Sequence, residues 1–124
     1  MEIEVSVGEI VDKLSILQIK KDNITDETKL SNIKNEFEYL YEKVFNQLLI
    51  SIEDYNSLLN INKLLWDVED EIREKERLKE FDEKFIELAR KVYFTNDERA
   101  FIKKEINTKY NSGFVEEKSY KNYR

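Results

Sequence analysis

A chain of 124 residues with no proline and only two glycines, Gly8 and Gly113, has almost nothing with which to interrupt a helix. Proline removes a backbone donor and glycine loses the most backbone freedom on ordering, so without them helix length is limited chiefly by capping residues. Leu and Ile recur at three- and four-residue spacing, the period of an amphipathic helix rather than the alternation of a strand. These features predict an all-α fold. It is expected as a single domain, an antiparallel bundle of about four principal helices, followed by a short irregular tail over 112–124.

Cap signals divide the chain. Ser6-Val7-Gly8-Glu9 has the form of a capping box, and Val7, Ile10, Val11, Leu14 and Leu17 then mark a first helix to about Lys21. Thr25 or Asp26 is the expected cap of a second helix, whose stripe of Leu30, Ile33, Phe37, Leu40, Tyr41, Val44 and Leu48 runs to about Ile50. Ser51, followed by Glu53 and Asp54, opens a third helix to about Lys79. Acids in a first turn suit the helix dipole. Tyr55, Leu58, Leu59, Leu65, Val68 and Ile72 face its core side, and the polar REKERLKE end is expected to project into solvent or meet a partner. A fourth helix begins near Phe81 and carries Phe85, Leu88, Ala89 and Val92. Thr95-Asn96-Asp97-Glu98 repeats the capping-box pattern, so a bend or restart is expected near Thr95, before Phe101, Ile102, Ile106 and Tyr110. Ser112-Gly113 is the expected stop, with Phe114 and Val115 of the tail docking on the bundle or on a neighbouring subunit.

Composition removes several chemistries. Without cysteine there is no disulfide or thiolate zinc site, and without histidine there is no imidazole ligand and no Ser-His or Cys-His nucleophile pair. Any bound metal would be a hard cation held by oxygen, Mg²⁺ or Mn²⁺. A net charge of −6 disfavours nucleic acid and anionic membrane as partners. The start MEIEVSVGEIV lacks the basic and apolar regions of a signal peptide, and no apolar run approaches about 18 residues, so the expected location is the cytoplasm.

Two patterns stand out: Leu65-Trp66-x-x-Glu69-Asp70-x-x-Arg73, and Asn96-Asp97-x-Arg99-Ala100-x-x-Lys103-x-x-Ile106-Asn107. Together with SVGEIVDKLSILQIKKDNITDETKL and EEKSY, they give nearly the whole chain a resemblance to domain-of-unknown-function family 6165, a family of small bacterial and viral proteins. The resemblance implies no reaction, cofactor or partner.

The residues themselves suggest three polar stripes. On the third helix, Asn62, Trp66, Glu69 and Arg73 recur at helical spacing beside the apolar face, which places Glu69 to pair with Arg73 or a ligand. Asp67, Asp70, Glu71 and Glu74 fall on other faces and are expected to be solvated. On the first helix, Glu9 and Asp12 stand at Glu-x-x-Asp spacing. With Glu69, these carboxylates are the candidate metal ligands, in a manner analogous to the Mg²⁺ sites of all-α nucleotide pyrophosphatases. The alternative roles are a capping box for Glu9 and ion pairs for the others. On the fourth helix, Arg90, Asn96, Asp97, Arg99, Lys103 and Asn107 supply guanidinium, ammonium and amide groups suited to phosphate or carboxylate, or else caps and ion pairs.

Two function classes follow. One is a non-enzymatic helical interaction module, expected to be a homodimer because Phe45, Trp66, Phe94, Phe114 and several tyrosines exceed what one small bundle can readily enclose. The other is an Mg²⁺-dependent enzyme or binding protein for a phosphorylated small molecule such as a nucleotide or sugar nucleotide. Convergence of the stripes on one open cleft favours the second, and scattered or mutually paired stripes favour the first.

Overall fold

The structure, a computed structural model, describes residues 2–112. Its helices are α1 (Val7–Asn23), α2 (Glu27–Tyr41), α3 (Ile52–Arg77) and α4 (Glu83–Lys109), with α2 continuing into a π-helical turn, Glu42–Gln47. The described residues form no strand. Every α-helix starts on a side-chain cap: Ser6 accepts from the Glu9 N–H, Asp26 from Lys29, Ser51 from Asp54 and Asp82 from Phe85. Each cap satisfies a donor that the first turn leaves without an intrahelical partner. Of the two expected caps for the second helix, Asp26 takes the role. The fourth helix starts just after its expected position because Asp82 is its cap.

The helix ends show how a chain poor in glycine stops. Leu49, Lys79 and Asn111 adopt left-handed backbone conformations, with φ of 54°, 56° and 53°. This conformation costs a non-glycine residue about 1–2 kcal/mol. It turns the chain back so that the Glu80 N–H donates to the Lys75 carbonyl at 3.0 Å, and the Ser112 N–H to the Asn107 carbonyl at 2.8 Å. These bonds recover carbonyls that the last turn would otherwise strand. After the π-helical turn, the Ile50 N–H reaches the Val44 carbonyl at 3.0 Å. The stop expected at Ser112-Gly113 is made one residue earlier, by Asn111. The docking expected of Phe114 and Val115 lies outside the described residues.

The restart expected near Thr95 does not occur: α4 is one uninterrupted helix. A cap is useful only where N–H groups lack partners, and inside a continuous helix the preceding turn already supplies carbonyls. Leu88, Thr95 and Ile106 are all buried at helical spacing along α4. A restart would rotate this stripe out of register, so packing overrides the local cap signal.

Helices α3 and α4 form an antiparallel hairpin, the most extensive helix pairing in the fold. At the turn, Lys75 Nζ lies 3.0 Å from both Glu80 and Asp82. At the opposite end, the Tyr110 hydroxyl accepts from the Ser51 N–H at 2.9 Å and donates to the Asp54 carboxylate at 2.7 Å. Helix α1 packs on both members of the hairpin, whereas α2 packs on no other α-helix than α1. The core joins Val11 and Leu14 to Val44, Tyr55, Leu58, Leu59 and Ile106. Helix α2 contributes no fully buried residue, only the half-buried Leu30, Ile33, Phe37 and Leu40. Beyond Val68 on α3 and before Leu88 on α4 the hairpin leaves this core, and no residue from Glu69 to Glu87 is buried. Among the described residues, no helix is long and apolar enough to cross a membrane.

Candidate functional site

The polar residues of α1 and α4 meet in a seam made possible by Gly8. A Cβ built on Gly8 would lie 2.6 Å from the Lys103 carbonyl oxygen and 3.0 Å from Asn107 Oδ1, so only glycine lets the two helices approach this closely. The start of α1 is then tied to α4 and its exit. The Gly8 N–H donates to Asn107 Oδ1 at 2.7 Å, and the Val7 N–H to Ser112 Oγ at 3.0 Å.

One turn further, the carboxylate of Asp12 is 1% exposed. Arg99 grips it in a bidentate contact, with Nε 2.9 Å from Oδ1 and Nη2 on Oδ2. Asn62 of α3 donates to the same Oδ1 at 2.9 Å and to Ser15 Oγ at 2.7 Å, and Ser15 Oγ donates back to the Asp12 carbonyl at 2.7 Å. A buried carboxylate is tolerable only when paired and hydrogen-bonded in this way. Beside it, the buried ammonium of Lys103 sits 2.7 Å from Glu9 Oε2. The Glu9 side chain thus serves Lys103, while Ser6 caps α1. Asn107 Nδ2 is buried without a hydrogen-bond partner.

A second polar cluster joins the ends of the hairpin around Asp54. Its carboxylate accepts from Ser51, Lys109 and Tyr110. Burial pushes its pKa up, but those hydrogen bonds and the Lys109 charge outweigh burial and hold it below the usual carboxylate value. The Tyr55 hydroxyl donates to Gln18, and burial, reinforced by the negative charge of Asp22 and by Tyr41, raises its pKa.

Of the candidate residues, Glu9, Asp12, Asn62, Arg99, Lys103 and Asn107 are therefore brought together. The third-helix stripe divides. Asn62 joins the seam, whereas Glu69 and Arg73 pair with each other at 3.7 Å in largely solvated positions, with Arg73 also 3.4 Å from Asp70. Trp66 is half-buried against the core. Arg90 is exposed and lies over the Phe94 ring, 5.5 Å from its centroid. Asn96 and Asp97 are half-buried in the interior of α4 rather than at a helix start. Glu9, Asp12 and Glu69 do not converge, and no group of three or more carboxylates among the described residues is arranged to hold a metal ion.

Sequence reasoning passed over Gly8 and Ser15 as partners in the seam, and Tyr110 as the link to Ser51 and Asp54. The signal for Gly8 was available, since a glycine inside an otherwise glycine-free helix costs stability unless something must pass close by. Ser15, three residues after Asp12 on the same face, was a weaker clue.

The fold and seam define an all-α bundle whose interior acids and bases are matched across helices. Along its length, over residues 1–123, the chain matches DUF6165, a family of unknown function, and it belongs to that family. No curated protein and no solved structure matches it.

Proposed function

We propose that this protein is a non-enzymatic, cytoplasmic helical module that self-associates, with a second copy of the chain seated on the outer part of the α3–α4 hairpin. The observation that carries this reading is that the hairpin leaves the core after Val68 and before Leu88 yet still presents Leu78, Phe81 and Ile86, which are 47%, 57% and 56% exposed. Large apolar side chains on a projecting element favour burial against a partner. Charge supports a second copy as that partner. Helix α3 is acidic at Asp67, Glu69, Asp70 and Glu71, then basic at Arg73, Lys75 and Arg77, with Glu74 and Glu76 interspersed. Two such helices meeting antiparallel about a two-fold axis near Ile72 would set acidic against basic segments, as an isologous contact requires. The pairing of Asp12 with Arg99 and Glu9 with Lys103 supports a structural seam over an anion- or metal-binding cleft.

Light scattering at micromolar concentration tests the proposal, with a dimer expected. The Phe81→Ser/Ile86→Ser variant changes exposed residues and should remain folded but become monomeric. A monomeric wild type overturns the proposal. So does a marked rise in melting temperature with a nucleotide or sugar nucleotide plus Mg²⁺ that vanishes in Arg99→Ala, because that outcome makes the seam a ligand site.

A further inference from the structure

Away from the seam and the hairpin tip, the end of α1 and the middle of α3 enclose a cleft of about 200 Å³ lined by Ile19, Asp22, Asn23, Lys63, Trp66 and Asp67. This is smaller than the roughly 300–1,000 Å³ of sites for drug-sized ligands and suits one small organic group. Its floor is apolar, from the buried Ile19 and the half-buried Trp66. Its rim is charged, from Asp22, Lys63 and Asp67. The acids Glu9, Asp12, Asp54, Glu69 and Asp70 each have a cationic partner, whereas Asp22, Asp67 and Lys63 take part in no ion pair among the described residues.

Three features at this cleft favour a positive guest. Two carboxylates arrive from different helices and outnumber the single ammonium of Lys63. The cleft sits at the last turn of α1, where the helix dipole is negative and carbonyls face outward. Tryptophan is the best of the aromatic side chains for attracting a cation. The last-turn lysines are directed away from the cleft: Lys21 lies over Phe37, 4.2 Å from its ring centroid, and Lys20 lines a separate hollow toward α2. Asp22 also acts on the Tyr55 hydroxyl, where its charge adds to burial in raising that group's pKa.

We propose that this cleft binds a small organic cation, an alkylammonium or guanidinium head with apolar surroundings, held against Trp66 between Asp22 and Asp67. An inorganic ion would leave the apolar floor unused, and an anion would meet an excess of negative charge.

Because Trp66 is the sole tryptophan, its fluorescence reports directly on the cleft. The full chain is titrated with choline chloride at constant ionic strength, and in parallel with 3,3-dimethylbutan-1-ol, the uncharged isostere of choline. A saturable change with choline at millimolar concentration, absent with the alcohol, is the expected result. Asp22→Asn and Asp67→Asn alter exposed residues and should melt as the wild type does. Each should weaken choline binding about two- to fivefold, the effect of removing one solvent-screened ion pair. No saturable response to choline overturns the proposal, as does an equal response to the alcohol, which marks a purely apolar hollow. Displacement of choline by Mg²⁺ or Ca²⁺ at lower concentration overturns it in favour of an inorganic cation.

Discussion

Replacing Arg99 with alanine tests the central structural claim, that the seam between α1 and α4 holds the bundle together. The change strips two hydrogen bonds from the Asp12 carboxylate and leaves Asn62 as its remaining side-chain donor. Removing one partner from a fully buried pair typically costs 3–5 kcal/mol, because the other charge stays buried and unpaired. Here Asp12 is 1% exposed but the Arg99 side chain is 26% exposed, so water can reach part of the vacated space. The expected loss is therefore about 2–4 kcal/mol, or a fall in Tm of about 6–20 °C for a domain of this size. Thermal melts followed by far-ultraviolet circular dichroism give the number. A double variant, Asp12→Asn/Arg99→Ala, should lose less than the sum of its single variants, because the stranded charge is gone. Arg73→Ala provides the contrast. Its pairs with Glu69 and Asp70 are 3.7 and 3.4 Å long, and its side chain is 71% exposed, so a change within about 0.5 kcal/mol is expected. If Arg99→Ala melted within about 2 °C of the wild type, or if Arg73→Ala were the more damaging change, the assignment of the two stripes would be wrong.

Gly8→Ala should destabilise by about 1–3 kcal/mol even though alanine is the better helix former, because the new methyl would meet the Lys103 backbone at 2.6 Å; an unchanged denaturation midpoint would refute the close-approach argument. Leu14→Ala, at a fully buried position of the α1 stripe, should cost about 2–5 kcal/mol in urea unfolding, and a smaller loss would show that the core collapses around the gap. Asp54 has a folded-state pKa below its ordinary 3.8, so its contribution is fully present above pH 3.8 and is lost as pH falls through the lowered folded value. Asp54→Asn should accordingly be less stable than the wild type near neutral pH, with the gap closing in strongly acidic solution; a gap independent of pH would place its origin in the cap alone. The pKa of Lys109 is raised above 10.5, chiefly by its hydrogen bond to Asp54, so the complementary alkaline loss should begin only above that pH and should be absent in Lys109→Met.

The helical class, the four principal helices and most of their starts were determined by the sequence itself. A cap acts within three residues and an apolar stripe repeats within four, so Ser6, Asp26 or its neighbour, Ser51 and the Leu58 to Val68 face can be recognised without knowing what packs against them. Even the helix stops obeyed a compositional constraint, since a chain short of glycine had to place Leu49, Lys79 and Asn111 in left-handed conformations. The same locality explains why the restart signalled at Thr95 is absent: Thr-Asn-Asp-Glu is a sound cap in isolation, but three buried residues of α4 on one stripe keep the helix continuous. What the polar residues do was decided by tertiary structure. Arg99 and Asp12 are 87 residues apart, Lys103 and Glu9 are 94, and Gly8 and Asn107 are 99. On their own helices Asp12 and Glu69 carry the same chemistry at similar boundary positions. Which one is sealed against a cation from another helix and which one remains in water depends on the course of α1 across the hairpin, and no spacing within a single helix encodes that course.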